Sequence, residues 1–354
     1  MLFKSFRPKT KERWEYDSKS PVPKDQYTYV VGLGFIPYDA KKEEERYIKR
    51  RSNYLSLCAF VLFLIKTSMS ILRPFLFDVL NINVSFFNES IYGIISLIIG
   101  ISFSGILYVT LIDMPFKKMF PIGTIDLGVT FAGVGIYLFV SVIGDVITKA
   151  LYFLSSYINI NLSKGPSRVL PETLLQSVVH LILVYIIPLV IEEVFFQGII
   201  LQSLRPIGDG FAIITTTILI TIITSDFYNF FPIFFTALVL SYFTIKTNNI
   251  ILPVIIRVFG SVIWGWQDLM VSVTTEKMKP IVTSVILMFF LLIGSVAIWF
   301  ILYKKEDMLV LEDIESSINF KENINRFFTN IPFIVMSIIM FVSMIWRENA
   351  NFRY

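Results

Sequence analysis

Long apolar runs separated by short polar segments dominate the chain from about residue 54 onward. They cover Tyr54–Leu72, Ile91–Ile112, Leu127–Gly144, Leu174–Ile191 with a continuation to about Leu204, Phe211–Thr224, Phe231–Ile245, Ile251–Trp264, Ile281–Tyr303 and Ile331–Trp346. A helix needs about 20 mostly apolar residues to cross a hydrocarbon core roughly 30 Å thick. Backbone groups find no water inside a bilayer, and most of these runs are too long for barrel strands, so the pattern predicts membrane-spanning helices.

The predicted fold class is therefore all-α, a polytopic transmembrane helical bundle with about eight or nine spans, since several of the runs are short. The composition agrees with this prediction. Of the 354 residues, 55% are hydrophobic and 16% are charged, whereas soluble domains contain about a quarter charged residues. No internal repeat and no linker divides the apolar region.

The distribution of basic residues predicts the orientation of the bundle. Residues 1–52 contain thirteen Lys or Arg against eight Asp or Glu, and the loop Pro74–Ser90 contains no Lys or Arg. Because cytoplasmic loops are enriched in basic residues, we expect a multi-pass protein of the cell membrane with a cytoplasmic N-terminus and membrane lipids around it. The predicted regions are a cytoplasmic basic tail (1–52), the helical bundle (53–303), a charged cytoplasmic segment (304–329) and a last hydrophobic helix with a short tail (330–354).

Two adjacent acidic residues, Glu192 and Glu193, lie at the end of the fourth apolar run. A charged side chain at the centre of a span costs about 2.5–3.5 kcal/mol on insertion scales and usually faces the bundle interior or a wet cavity. On a helix, Glu193 and Gln197 share a face, whereas Glu192 is rotated by roughly 100°. A carboxylate removed from water is a candidate general base that activates a water molecule. Alternatively, the helix leaves the membrane here and both glutamates are solvated.

The sequence of Glu192–Gly198, Glu-Glu-Val-Phe-Phe-Gln-Gly, resembles the first motif of the CAAX-protease and bacteriocin-processing family of intramembrane glutamic proteases, usually Glu-Glu-x-x-x-Arg-Gly. The family's second motif is Phe-x-x-x-His and its third is His-x-x-x-Asn or Asp. By position these correspond to Ser225–Asn229 and Arg257–Ser261. The segment Thr244–Leu252 resembles the family's turn before the third motif, and the resemblance covers roughly residues 174–265.

The resemblance implies a role for each motif position. The first glutamate would activate water with the help of the second-motif histidine, the second glutamate would pair with the motif arginine, and the third-motif pair would stabilise the oxyanion. The corresponding residues of this chain are Glu192, Glu193, Gln197, Asn229, Arg257 and Ser261. The chain keeps the motif glycine, Gly198, but departs from the family pattern at nearly every partner of the glutamates, and both family histidines are missing.

The chain contains one histidine and one cysteine, which limits the chemistry it can support. His180 precedes Glu192 by twelve residues, which is about 18 Å along a helix and too far to share one water molecule. A single histidine excludes a metal site with two histidines. Because Cys58 is the single cysteine, an internal disulfide and any site with several cysteine ligands are also excluded. The sequence predicts no metal, no cofactor and no nucleic-acid partner.

The substitutions suggest an altered site. Asn229 cannot take up a proton near neutral pH, and Arg257 can neither act as a base nor bind a metal, but it can pair with a carboxylate. We hypothesise that Arg257 faces Glu192 or Glu193 and closes the former catalytic cavity, because such pairing stabilises the charged carboxylate and makes it a poor base. Alternatively, Arg257 reaches the lipid headgroups from a short helix. Asp226 could bring a third carboxylate to an active site, or it could lie in a loop.

Three functions remain open from the sequence. The first is a catalytically impaired family member that acts as a membrane scaffold, a regulator or a bacteriocin-immunity protein, with another membrane protein as its partner. The second is an active endopeptidase with a non-standard site that uses Glu192 and Glu193 on a prenylated or leader peptide. The third is a transporter or channel subunit in which intramembrane charges line a path. The missing histidines disfavour the second, and the family-like first motif disfavours the third.

Overall fold

The computed structural model is a bundle of helices, as the apolar runs predict. It describes residues 27–30, 34–37, 40–83, 85–157, 178–179, 181–224, 228–272, 274–305, 308 and 318–349. The helices are α1 (Ala40–Val79), α2 (Phe86–Ile112), α3 (Phe116–Met119), α4 (Leu127–Tyr157), α5 (181–204), α6 (Asp209–Thr224), α7 (Phe230–Thr247), α8 (Ile251–Ser272), α9 (Lys279–Lys304), α10 (Phe320–Phe328) and α11 (Ile331–Asn349). The polytopic helical fold is thereby confirmed.

Each of the nine apolar runs is helical in the part that the structure describes, which for the fourth run begins at residue 178. In the described part of the chain, six helices are long and apolar enough to cross a membrane, or seven if α10 and α11, bent by 65° at their junction, form one broken span. The apolar stretches of α6 (Asp209–Ile223) and α8 (Ile251–Gln267) are shorter. Large apolar side chains stay exposed on the outer helices, for example Leu292 and Val296 of α9, as expected where lipid surrounds the bundle.

One small element of the N-terminal region is not helical. The strands β1 (Tyr27–Val30) and β2 (Gly34–Pro37) pair as an antiparallel hairpin. The sequence does not predict this hairpin. Each strand has only four residues, which is too short for an alternation of apolar and polar positions to be recognised.

The basic run before the first span belongs to the same helix as that span, because α1 continues from Ala40 to Val79 without a break. Its first turns pack against α10, where Glu45 and Arg326 form an ion pair of 2.7 Å. The hydroxyl of Ser52 donates a hydrogen bond of 2.8 Å to the carbonyl of Phe327. The start of α1 is therefore joined to a C-terminal helix, and the region boundary at residue 52 stays a prediction.

The core of the bundle consists of two apolar clusters. One cluster joins α1, α2, α5 and α6 around buried side chains such as Tyr108, Leu201 and Phe211. The other joins α4, α7, α8 and α9 around Leu138, Phe243 and other buried side chains. Packing between these helices brings polar residues of α4, α5 and α8 together inside the bundle.

Candidate intramembrane site

The helix that carries the two glutamates is irregular on both sides of them. Within α5, α-helical stretches alternate with wider π-helical ones, in the order π Leu181–Ile186, α Ile187–Glu193, π Val194–Ile200 and α Leu201–Leu204. The Leu201 N–H donates to the Phe196 carbonyl, five residues back. Pro188 has no N–H, so it removes one bond of the usual ladder near the start of the glutamate-bearing stretch. π-helical turns are rare and often mark functional sites.

Arg257 of α8 bridges the two glutamates of α5. Its Nη2 lies 2.6 Å from Oε2 of Glu192 and its Nη1 lies 2.5 Å from Oε1 of Glu193. The side chains of Arg257, Glu192 and Glu193 are 12%, 14% and 1% exposed. Consecutive residues of a helix point about 100° apart, and the forked guanidinium reaches both because its donors lie on separate nitrogens. The hypothesis that Arg257 pairs with these glutamates is confirmed. We call these three residues the ion triad.

The two carboxylates differ in their surroundings. Glu192 keeps some exposure, whereas Glu193 is enclosed, and no described residue bonds to its buried second oxygen, Oε2. Buried polar atoms in native proteins nearly always have a partner. The unbonded oxygen of Glu193 is therefore the least satisfied atom of the ion triad.

A tyrosine that the sequence analysis does not single out lies beside the triad. The hydroxyl of Tyr137, on α4, is 3.0 Å from the hydroxyl of Ser261, which follows Arg257 by one helical turn. The close approach depends on Gly260, because a Cβ there would stand 2.2 Å from Cδ1 of Tyr137. Tyr137 lies well before the motif region and belongs to no motif, so only the packing of α4 on α8 reveals it.

Gln197, at the position of the family's motif arginine, connects α5 with α7. Its amide nitrogen donates to the Ser241 hydroxyl at 3.3 Å, and its amide oxygen accepts from the Thr244 hydroxyl at 3.4 Å. All three side chains are buried. Gln197 therefore stabilises the contact of these two helices inside the bundle.

The second-motif position is separate from these bonds. Asn229 lies at the N-terminal boundary of α7, where its carbonyl accepts the Ile233 N–H at 3.0 Å, and it takes no part in the bonds that form the ion triad. Ser225, Asp226 and His180 lie outside the described residues. A contribution of Asp226 to the site therefore stays a prediction.

The arrangement supports pairing of charges better than proton transfer. Of the groups brought together, Arg257 and the amide of Gln197 cannot act as bases near neutral pH. Where the structure describes side chains, no three His, Cys, Asp or Glu residues are grouped as a metal site requires. The glutamates are the remaining candidates for acid–base work, and both are bound to Arg257.

Comparison with known proteins supports the resemblance seen in the motifs. Residues 174–263 match the family model described as type II CAAX prenyl endopeptidase Rce1-like. Neither a curated protein nor a solved structure matches the chain. The matched region contains the two glutamates, Gln197, Asn229, Arg257 and Ser261. Over this region, about a quarter of its length, the chain is similar to the type II CAAX prenyl endopeptidase family.

Proposed function

We propose that this chain is a catalytically impaired member of the family that acts as a membrane scaffold, regulator or immunity-type protein. The observation that carries the proposal is the ion triad, in which Arg257 binds both glutamates at 2.5–2.6 Å. Its site retains the acidic residues of a hydrolase, while the groups that would take and return protons are replaced.

The chemistry of the triad opposes hydrolysis. A general base must take up a proton from the attacking water, so it needs a carboxylate that is not strongly stabilised in its charged form. Arg257 donates a direct hydrogen bond to Oε2 of Glu192, so this oxygen already has a partner, and Arg257 cannot itself accept a proton. Because the bonded groups are only 12% and 14% exposed, water screens this interaction weakly.

The other motif substitutions also disfavour hydrolysis. Asn229 and Ser261 offer hydrogen bonds but no group that titrates near neutral pH. Gln197 is engaged with Ser241 and Thr244, so it supports helix packing at the place where the family has a charged arginine. The closed site is suited to hold helices together in one arrangement, which is what a scaffold needs.

We propose further that the protein spans the cell membrane with its N-terminus in the cytoplasm, as the distribution of basic residues suggests. Its partner would be another membrane protein that it senses or escorts. In an immunity role it would instead protect the cell against a bacteriocin. Prenylated or leader peptides would then be bound without being cleaved.

Peptide cleavage tests the proposal. Purified protein in lipid vesicles is incubated with a panel of prenylated and leader-bearing peptides, beside its Glu192→Gln form. We expect no turnover above that of empty vesicles for either form. Turnover by the unmodified protein that the substitution abolishes would overturn the proposal and favour an active endopeptidase.

A further inference from the structure

The ion triad has an unbalanced number of charged groups. It contains two carboxylates and one guanidinium, all of them mostly enclosed. If every group were ionised, the triad would carry a net charge of −1 within the bundle. An uncompensated charge removed from water is strongly unfavourable, so a buried cluster of this kind takes up a positive charge.

The neighbouring helices do not supply that charge in the described part of the chain. On α4, Tyr137 lies near the triad and carries a neutral hydroxyl bonded to Ser261. The charged side chains of α4, Asp145 and Lys149, pair with each other at 2.6 Å. The charged side chains of α2 and α7 lie only near helix ends, at Glu89 and Lys246. On α8, Arg257 is already shared by both glutamates.

The two glutamates are not equally suited to bind the missing positive charge. Glu192 is 14% exposed and its Oε2 is bonded to Arg257, so it forms a neutral ion pair with that residue. Glu193 is 1% exposed, and its buried Oε2 lies within hydrogen-bond distance of no described residue, although the side chain of Gln197, one helical turn on, also interacts with the carboxyl group. A proton on this oxygen would neutralise the triad without displacing any side chain.

We propose that Oε2 of Glu193 is a proton-binding site, so that the triad holds one proton at neutral pH. Oε1 of Glu193 then acts as the carbonyl oxygen of a neutral acid and accepts the hydrogen bond from Nη1 of Arg257. Glu192 and Arg257 remain an ion pair. The proposal concerns the charge of the triad and stands whether or not the chain hydrolyses peptides.

Infrared spectroscopy tests this inference without relying on a variant. Protein carrying ¹³C only in the glutamate carboxyl carbons is compared with unlabelled protein in lipid vesicles at neutral pH. We expect an isotope-shifted carbonyl stretch of a protonated carboxylic acid that comes from glutamate. A spectrum with no such band would overturn the proposal. So would a melting temperature that depends on sodium or potassium in place of the band, because a metal ion would then balance the charge.

Two variants assign the band. Glu193→Gln removes it, whereas the matched control Glu276→Gln, at a side chain 86% exposed, leaves it unchanged. Glu192→Gln also removes it, because Arg257 then has only Glu193 to balance and that carboxyl gives up its proton. Persistence of the band in either triad variant would contradict the assignment.

Discussion

Arg257 Nη1 lies 2.5 Å from Glu193 Oε1, across 64 positions of sequence and between two helices of the bundle. The same guanidinium reaches Glu192, so one residue of α8 holds both acidic residues of α5. Loss of one partner from a buried ion pair leaves a charge without compensation, which costs more than the loss of a surface pair. The bridge therefore links the family-like first motif to the position where the family has its third-motif histidine.

The packing of α4 on α8 beside the triad predicts a sharp contrast between two glycines. Gly260→Ala places a Cβ 2.2 Å from the ring of Tyr137, so the helices must move apart at a cost of about 1–3 kcal/mol. Gly93→Ala is the matched control, because a Cβ at Gly93 meets no atom within 4 Å. Thermal unfolding in detergent should show a lower melting temperature only for the first variant. Equal melting temperatures would contradict the close contact.

The ion pair of Asp126 and Lys305 predicts a pH-dependent contribution to stability. The hydrogen bond from Lys305, at 2.6 Å, and then the backbone N–H groups of Val129 and Gly128 lower the pKa of Asp126 below its ordinary value of 3.8. A carboxyl whose pKa is lower in the folded state stabilises the fold above its ordinary pKa, and this contribution is lost as the pH falls through the folded-state value.

Asp126→Asn isolates this charge, because asparagine can still accept the backbone hydrogen bonds at the start of α4. We expect the variant to melt below the unmodified protein at pH 6 and the difference to disappear as the pH falls below about 3.8. High salt should also reduce the difference, because both side chains are partly exposed. A difference that grows on acidification would show that the charge does not act in this way.

The proposed orientation predicts which loops react from outside the cell. In a Cys58→Ala background, Asn83→Cys should react with a membrane-impermeant maleimide on intact cells, because the loop after α1 lacks Lys and Arg. Lys118→Cys, which is also exposed, should react only after the membrane is permeabilised. The reverse pattern would contradict the cytoplasmic N-terminus.

The proposed loss of catalysis predicts that restoring the family residues changes activity. Arg257→His combined with Asn229→His returns a titratable group to both motif positions and removes the guanidinium from Glu192 and Glu193. We expect measurable cleavage of prenylated or leader-bearing peptides by the double variant and none by Arg257→Lys with the same Asn229→His change. Cleavage by both variants at equal rates would show that the histidine at position 257 is not what the site lacks.

The helices could be predicted from the sequence because lipid requires long apolar runs, and the described part of each of the nine runs is helical. The bounds were less predictable. The charged residues before Tyr54 belong to α1. Their partners, such as Arg326, lie on a distant C-terminal helix, so no local pattern in the sequence indicates these contacts. The hairpin of Tyr27–Val30 with Gly34–Pro37 gives no usable pattern at its length.

The candidate site was predictable only where a motif or a charge pointed to it. The paired glutamates and Arg257, the one arginine of α8, suggested an ion pair between the two helices, because charged side chains inside a membrane bundle usually pair with one another. Tyr137 carries no such signal, since tyrosine is ordinary in a span. The π-helical turns on both sides of Glu193 leave no recognisable period in the sequence.

A double-mutant cycle on Glu192 and Arg257 tests the bridge most directly. The free energy of unfolding is measured in mixed detergent for Glu192→Gln, Arg257→Met and the two together, with Lys279→Met as a control at an exposed ion pair. We expect Arg257→Met to cost about 3–5 kcal/mol, the control to cost less than about 1 kcal/mol, and the cycle to give a coupling of about 0.5–3 kcal/mol. Losses that simply add would contradict the bridge and the closed site that depends on it.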